Sequence, residues 1–283
     1  MAKILVVGAG DVGGNLAVRL AQEGHQVWGL RRSEQQDDTG IQWIQADVTE
    51  SETLIGLPEG LDVVVYSVAS PVFSREGYHQ YYYRGLRHVL KALKGNEPKR
   101  VFFTSSSSVY HQMNGEWVDE TSETTPGSFA GQELLAAEQA LIKHAIPGTV
   151  VRFTGIYGPG RNRMIEQARR GGHCDPEPPV WTNRIHRDDC VNVLMHLIGK
   201  SLQGEALEDV YLATDDLPAT LFDVLEWMKD RIGEVEPDHD VPEVTRRANR
   251  RCSNQRLKTS GYEFLYANYQ DGYDVLLTEM GYE

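Results

Sequence analysis

Three glycines near the start of the chain have a spacing that can bind a phosphate-rich ligand. Gly8, Gly10 and Gly13 stand in "GAGDVGG", directly after the apolar run "KILVV" and before a helical stretch. In a GxGxxG pattern of this kind the first glycine permits a tight turn, the second lets the backbone approach a pyrophosphate, and the third lets helix and strand pack closely. The helix start, with Asp11 and Val12, offers N–H groups to an anion. The motif predicts a dinucleotide site; a glycine turn in a non-binding α/β fold is the alternative.

Charged residues follow two of the next apolar runs. Arg31 and Arg32 end the second run, where an acidic residue would bind the ribose 2′-hydroxyl of NAD. Two guanidinium groups can instead hold a 2′-phosphate, so we predict NADP(H) rather than NAD(H) as the cofactor, with solvated surface arginines as the alternative. Asp47 and Val48 follow the third run, where a carboxylate and a backbone N–H can bind adenine.

The elements that must position these residues alternate along the chain. Apolar runs typical of buried parallel strands are separated by helical stretches through most of the first half of the sequence. This alternation predicts an α/β fold with a Rossmann-type doubly wound parallel sheet, which binds ligands at the carboxyl ends of its strands. We predict a dinucleotide-binding domain of residues 1–158 plus 183–215, and a smaller discontinuous substrate-binding lobe of residues 159–182 plus 216–283. The tail of that lobe from Pro237 is predicted to be loop-rich.

Composition limits the classes of protein. The chain has 283 residues and a formal net charge of −13, which disfavours nucleic acids and anionic membranes as partners. No apolar stretch approaches the roughly 20 residues of a membrane span. Cys174, Cys190 and Cys252 are odd in number and far apart, which argues against a disulfide framework or a structural zinc site, and the His173–Cys174 pair is interpreted as part of a loop. We expect a cytoplasmic protein with a small-molecule substrate and no metal.

The order of the motifs resembles the extended short-chain dehydrogenase/reductases, also called the NAD-dependent epimerase/dehydratase family, over nearly the whole chain. "ADV" is similar to the family's adenine motif, "LDVVVYSVAS" to its fourth-strand motif, and "FTSSSSVY" to its serine-strand motif. "VVRFTGIYGPGR" and "RIHRDDCVNVL" resemble its later signatures. The resemblance implies hydride chemistry on a nicotinamide, a cofactor contact at Ala69, and a substrate oxygen bound by Ser106. The alternative for Ser106 is a cap at the strand end.

The sequence departs from the family at its catalytic helix. The family pattern is roughly YxxxKxxxE, in which the tyrosine transfers a proton and the lysine lowers the tyrosine pKa. With Glu138 on the family glutamate, Ala130 and Leu134 occupy the tyrosine and lysine positions, so the chain resembles an atypical member. Two hypotheses stay open. One is an NADP(H)-binding oxidoreductase that acts on a small polar carbonyl or sugar-type substrate with a non-standard acid. The other is a catalytically inactive dinucleotide-binding sensor or scaffold.

Further candidates lie outside these motifs. Tyr82, in the helix "YHQYYYRGLRHVLKAL", is the candidate for the missing acid, with helix or dimer packing as its alternative. Arg161, Arg184 and His186 are predicted to bind the substrate around a cleft between the two lobes, where arginines suit a phosphate or carboxylate. Interface salt bridges are the alternative for these three residues. The same Tyr-rich helix lies on the dimer face of many relatives, so a homodimer is expected by analogy.

Overall fold

The computed structural model describes residues 1–35, 39–233 and 248–282. In chain order its elements are β1 (Lys3–Val7), α1 (Asp11–Gln22), β2 (Gln26–Arg31), β3 (Gln42–Gln45), β4 (Val63–Tyr66), α2 (Arg75–Tyr78), α3 (Gly85–Ala92), β5 (Arg100–Ser106), β6 (Glu116–Val118), α4 (Phe129–Ile142), β7 (Gly148–Phe153), β8 (Gly155–Tyr157), α5 (Arg163–Arg169), β9 (Trp181–Thr182), β10 (Arg184–His186), α6 (Arg187–Leu202), β11 (Val210–Ala213), β12 (Ala219–Thr220), α7 (Leu221–Ile232), β13 (Arg250–Cys252), α8 (Gln255–Thr259) and α9 (Tyr269–Glu279). Short 3₁₀ turns cover Ser51–Leu54 and Ser107–Val109.

Seven strands form one sheet in the order β11-β7-β5-β4-β1-β2-β3. The pairs that join β3, β2, β1, β4 and β5 are parallel. This order is the doubly wound Rossmann arrangement, so the predicted fold class is confirmed. All four residues of β4 and the last four of β1 are buried, because helices cover both faces of such a sheet. That burial explains why these strands are continuous apolar runs in the sequence.

The order of strands places the candidate site. β1 and β4 are neighbours, yet the chain leaves β1 toward β2 on one side and leaves β4 toward β5 on the other. A crevice opens beyond the carboxyl ends of two such strands, and nucleotides bind there in open α/β sheets. The glycine turn follows β1, and Ser67 follows β4, where its N–H donates to Val7 O at 2.8 Å.

The chain divides into two compact units. The first contains residues 1–109, 124–152 and 191–211, and the second contains residues 110–123, 153–190 and 212–283. The second unit has its own apolar core, built from α5, α7, α9 and the strands between them and including Ile165, Val224, Leu225, Met228 and Leu276. The assignment of cofactor binding to one domain and substrate binding to the other stays a prediction.

Two elements differ from the sequence predictions. The sequence pattern of "GTVVRFTGIYGPG" predicts a single strand, but β7 ends at Phe153 and β8 begins at Gly155 in a separate pair with β10. β7 is buried from its second residue onward, whereas only Tyr157 of β8 is buried. The loop-rich prediction from Pro237 is wrong for residues 248–282, which contain β13, α8 and α9; residues 237–247 lie outside the described residues. Helix α9 buries Tyr269, Tyr273 and Leu276, which lie at helical spacing.

The Tyr-rich helix contains an irregular segment. Between α2 and α3, residues His79–Arg84 are π-helical, and π-helical turns of this kind are frequent at functional sites. The hydroxyl of Tyr66 donates to the carbonyl of Tyr81 within that segment.

Among the described helices, none is long and apolar enough to cross a membrane. Within the same described ranges, no three His, Cys, Asp or Glu side chains are grouped as metal ligands.

Candidate functional site

The glycine turn is fixed by close backbone contacts on one side and is open on the other. Gly8 has a φ of +86°, and a Cβ there would lie 2.7 Å from the Ser67 carbonyl. A Cβ at Gly13 would overlap the carbonyl oxygen of Gly8, so only glycine lets α1 pack on the turn. By contrast, nothing lies within 4 Å of a Cβ placed at Gly10. No described side chain caps α1 at Gly10, so its first N–H groups and the open space fit a pyrophosphate.

The two arginines at the end of β2 have neutral partners in the described structure. Arg31 donates from Nε to Ser33 Oγ at 3.1 Å and from Nη1 to Gln35 Oε1 at 2.9 Å. Arg32 donates from Nη1 to Tyr81 Oη at 2.8 Å, and its guanidinium carbon lies 5.4 Å from the centre of the Tyr81 ring. These contacts orient both guanidinium groups without neutralising them.

The residues predicted at the adenine follow β3 and β4. Asp47 Oδ1 accepts from the N–H and the hydroxyl of Thr49, at 2.9 and 2.8 Å, which fixes the carboxylate in a tight turn. The carbonyl of Val48 is 2.8 Å from His88 Nδ1. Ala69 is exposed after β4. The contacts of Asp47, Val48 and Ala69 with a cofactor stay a prediction.

The serine predicted to bind substrate ends β5. Ser106 Oγ accepts from the N–H of Ser108 at 3.1 Å, so it caps the 3₁₀ turn that follows the strand. The cap uses a lone pair of the hydroxyl and leaves its proton available to donate to a carbonyl oxygen. Ser106 is half-buried, so a ligand group can reach it. Capping and substrate binding are therefore compatible roles.

The residue before Ser106 belongs to a buried ion-pair network. Ser105 Oγ donates to Glu138 Oε1 at 2.6 Å. Arg152 donates to the same carboxylate, from Nε at 3.0 Å and from Nη2 at 2.7 Å. The side chains of Glu138 and Arg152 are 1% and 5% exposed. The network ties β5 to α4 and β7 and thereby fixes the strand end that carries Ser106.

The first turn of α4 packs directly on the serine loop. A Cβ at Gly131 would overlap the carbonyl oxygen of Ser108, and Ser128 Oγ caps the helix by accepting from Gly131 N at 3.1 Å. Ala130 and Leu134 are both buried in this helix. Neither side chain can transfer a proton, whichever family residues they replace.

Tyr82 lies in the π-helical segment. Its hydroxyl oxygen accepts from the N–H of Ser70 at 3.4 Å, beyond the carboxyl end of β4, and its ring centre is 4.9 Å from that of Tyr78. Burial raises the pKa of Tyr82, so the hydroxyl is protonated at neutral pH and is a weak acid. The structure thus brings a proton donor to the edge of the sheet where β4 ends.

Comparison with known proteins decides the family. The sequence model of the NAD-dependent epimerase/dehydratase family matches residues 4–212. This chain belongs to that family. A solved structure from Methylobacillus flagellatus, described as a candidate NAD-dependent epimerase/dehydratase, is 41% identical with a TM-score of 0.83, over 99% of this chain and 98% of that one. The family predicted from the motifs is therefore confirmed, and with it an NAD-dependent, epimerase/dehydratase type of protein.

Two curated relatives are more distant. Protein YeeZ of Escherichia coli is 26% identical over 70% of this chain and 73% of its own length. The 2-alkyl-3-oxoalkanoate reductase of Stenotrophomonas maltophilia is 27% identical over 60% of this chain and 56% of its own length. The chain thus spans a little over half of a relative that is a reductase by name.

Within this epimerase/dehydratase-family protein, the predicted substrate residues all lie in the second unit. Arg184 is buried and its guanidinium carbon is 5.5 Å from the ring centre of Tyr269. His186 is buried, its Nδ1 accepts from Asp188 N at 3.1 Å, and burial lowers its pKa, so it is neutral at pH 7. Arg161 is exposed after β8. Of these three residues, Arg161 is at the surface and Arg184 and His186 are in the interior.

The sequence did not predict two clusters of polar side chains that the structure contains. Asp215, in the second unit, is buried near Arg184, and burial raises its pKa to about 8. In the first unit, Glu133 lies 2.8 Å from His79 Nδ1 and 3.3 Å from Arg75 Nη1. Helical periodicity alone cannot identify the partners of Glu133, because His79 and Arg75 come from a distant segment of the chain.

Proposed function

We propose that this family member binds NADP(H) and transfers hydride to or from a small polar carbonyl or sugar-type substrate in the cytoplasm. The observation that carries the cofactor choice is the pair Arg31 and Arg32 at the carboxyl end of β2. An acid at this place would bind the 2′-hydroxyl of NAD, whereas two guanidinium groups suit a 2′-phosphate. Their described partners are neutral oxygens, so their charge remains for the cofactor.

The other cofactor contacts follow from the crevice. The open face of Gly10 and the start of α1, with Asp11, Val12 and Gly13, would hold the pyrophosphate. The residues after β3 and β4 would border the adenosine: Asp47, Val48 and Ala69. Bound NADP(H) supplies the hydride chemistry at its nicotinamide.

Two side chains of the chain would handle the substrate oxygen. Ser106 would donate its hydroxyl proton to the carbonyl oxygen of the substrate. The hydrogen bond from Ser108 N–H occupies only a lone pair of the Ser106 oxygen, so the proton stays available. Tyr82 is the proposed proton donor in reduction, because its buried hydroxyl is protonated. A donor with a raised pKa gives up its proton reluctantly, so the expected turnover is slow. The similarity to the 2-alkyl-3-oxoalkanoate reductase of Stenotrophomonas maltophilia supports a carbonyl as the reacting group.

The polar part of the substrate is assigned to the second unit. Arg161 offers an exposed guanidinium for a carboxylate or phosphate, and Arg184 and His186 offer interior hydrogen-bonding groups. A homodimer through the helix that carries Tyr82 belongs to the same proposal. Sedimentation of the wild-type protein tests the dimer directly.

A second function is favoured by one observation. Ala130 and Leu134 are buried and apolar, at the place where the family's proton-transfer pair is aligned. A protein that binds the dinucleotide without hydride transfer, as a sensor or scaffold, needs the glycine turn and the arginines but no acid.

Label transfer separates the two functions. NADPH deuterated at C4 on either face is incubated with the protein and with a set of 3-oxo acids and keto sugars, and products are analysed by mass spectrometry. Deuterium in a product only when protein is present supports the oxidoreductase. No transfer to any of these carbonyls, with NADPH binding measured in the same sample, favours the sensor.

A further inference from the structure

Four aromatic side chains of the first unit lie together beyond the carboxyl end of β4. They come from the loop after β4, from α2, from the π-helical segment and from the start of α4, and they make up the aromatic cluster: Phe73, Tyr78, Tyr82 and Phe129. The ring centre of Phe73 is 5.6 Å from that of Tyr78 and 5.1 Å from that of Phe129. The ring centre of Tyr78 is also 5.6 Å from that of Phe129 and 4.9 Å from that of Tyr82.

The outer part of the aromatic cluster is accessible to a ligand. Phe73 is 68% exposed, and the preceding residue, Val72, is 55% exposed. Tyr78 and Phe129 are half-buried beneath them. An exposed apolar patch that is bordered by polar residues often marks a ligand-binding groove, so the accessible rings call for an occupant.

The loop that carries Phe73 is held in place by its own hydrogen bonds. Ser70 Oγ donates to Val72 O at 2.8 Å, and Ser74 Oγ caps α2 by accepting from Gly77 N at 3.0 Å. A Cβ at Gly77 would lie 2.8 Å from the carbonyl oxygen of Val72, so glycine is required for the loop to pack this closely on α2. The backbone of Phe73 is therefore positioned before a ligand binds, which lowers the entropic cost of binding.

The aromatic cluster is continuous with the proposed site of proton transfer. The N–H of Ser70 donates to Tyr82 Oη at 3.4 Å, so one serine contacts both the proposed proton donor and the loop that carries Phe73. Phe129 directly precedes Ala130, which is aligned with the family tyrosine. A carbonyl compound that receives a proton from Tyr82 therefore lies beside the aromatic cluster, and a substituent of its carbonyl carbon can cover the exposed rings.

We propose that the aromatic cluster binds an aryl group attached to the carbonyl carbon of the substrate. The inference rests on the proposed function, since it presupposes a carbonyl that Tyr82 protonates, and it selects an aryl ketone as the substrate class. Phe73 and Phe129 each meet the ring of Tyr78 at an interplanar angle of 90°, in the edge-to-face arrangement that aromatic pairs prefer. A further ring placed against the exposed side of Phe73 extends this arrangement.

The test uses two ketones that differ only in one substituent of the carbonyl carbon, ethyl benzoylacetate with phenyl and ethyl acetoacetate with methyl. Their affinities are measured by titration calorimetry on the protein saturated with NADP⁺ and, in parallel, with NAD⁺. An oxidised cofactor cannot give hydride to a ketone, so the measured affinity does not depend on turnover. The wild type is expected to bind the phenyl ketone roughly tenfold more tightly, as for partial burial of one ring.

Three variants locate the phenyl group. Phe73→Ala should weaken the binding of ethyl benzoylacetate roughly three- to tenfold and leave that of ethyl acetoacetate unchanged, as for the loss of one aromatic contact. Phe73→Tyr keeps the ring and should keep the preference. Ile55→Ala is the matched control, because Ile55 is 82% exposed and lies outside the aromatic cluster, and it should change neither affinity. Both positions are largely exposed, so these variants do not put folding at risk.

The outcomes separate this inference from the function on which it rests. Equal affinities of the wild type for the two ketones, no detectable binding of either, or a phenyl preference that Phe73→Ala leaves intact would overturn the inference. A dimer that Phe73→Ala dissociates in sedimentation, with both affinities unchanged, would instead assign the aromatic cluster to an interface between copies of this chain.

NADPH deuterated at C4 tests the function separately. A phenyl preference that depends on Phe73, without deuterium in either ketone, refutes hydride transfer and leaves the aryl site standing. Deuterium in both products without that preference refutes the aryl site alone.

Discussion

The ion pair between Glu138 and Arg152 gives the sharpest prediction for stability. Both side chains are at most 5% exposed, and the carboxylate accepts from Arg152 and from Ser105. Glu138→Leu leaves a buried guanidinium without its carboxylate and a buried hydroxyl without its acceptor. Removing one member of a buried ion pair costs about 3–5 kcal/mol, and an orphaned hydroxyl adds about 1 kcal/mol. We expect a loss of about 4–6 kcal/mol in the free energy of unfolding.

Urea unfolding followed by circular dichroism measures this loss, and two further variants identify its cause. Glu133→Leu is the matched control on the same helix, because its partners Arg75 and His79 have side chains that are 59% and 42% exposed, and exposed pairs contribute about 0–1 kcal/mol each. The double variant Glu138→Leu with Arg152→Leu removes both charges. It should recover most of the stability, because apolar replacement of a buried pair is often neutral.

Two results would refute the argument. Glu138→Leu within about 1 kcal/mol of wild type would mean that the guanidinium is not desolvated in the folded protein. Additive losses in the double variant would mean that the two charges do not interact. Because Ser105 precedes Ser106, the proposed function adds an effect on catalysis: Glu138→Leu should lower kcat while NADPH affinity stays unchanged.

Three further predictions concern the cofactor turn, the reacting groups and pH. Gly13→Ala introduces a clash with the turn and should destabilise the fold by about 1–3 kcal/mol, whereas Gly10→Ala enters open space and should weaken NADPH binding at unchanged melting temperature. Equal melting temperatures for both variants would contradict this. Ser106→Ala and Tyr82→Phe should each lower the rate of deuteride transfer about 10²- to 10⁴-fold without changing NADPH affinity, as calorimetry can show. Burial raises the pKa of Asp215 to about 8, so the folded chain keeps a proton that the unfolded chain releases near pH 4. Stability should therefore fall by on the order of 5 kcal/mol between pH 4 and 8, and Asp215→Asn should flatten this pH dependence of the melting temperature. A wild-type stability that rises over this range would refute the assignment.

The sheet could be predicted from the sequence because its signals are local. A buried parallel strand is apolar on both faces, so β1 and β4 are visible as runs such as "ILVV" and "VVVY". The glycine turn is also visible locally, as the GxGxxG pattern directly after β1, and the contact that requires Gly13 is with Gly8 in the same turn. The break between β7 and β8 is different, because the apolar run on both sides hides the change of sheet.

The parts of the site that were missed depend on pairing between distant segments. Trp43 lies against Gly29 at the end of the sheet because the register of β2 and β3 pairs these two residues. Glu138 was visible only as a mark for aligning the helix, yet its function is set by Arg152, which approaches from β7. Residue types alone do not specify a register, so these contacts required the structure.

The packing of α4 also limits where a catalytic acid can come from. Its first turn is pressed on the serine loop at Gly131, and Ala130 and Leu134 are enclosed there. Both side chains are apolar, so α4 has no proton donor at these two positions. Under the proposed function the proton donor comes from another element, and the π-helical segment offers Tyr82 at the end of β4. The apolar side chains of Ala130 and Leu134 are therefore compatible with the proposed oxidoreductase, in which the proton comes from Tyr82.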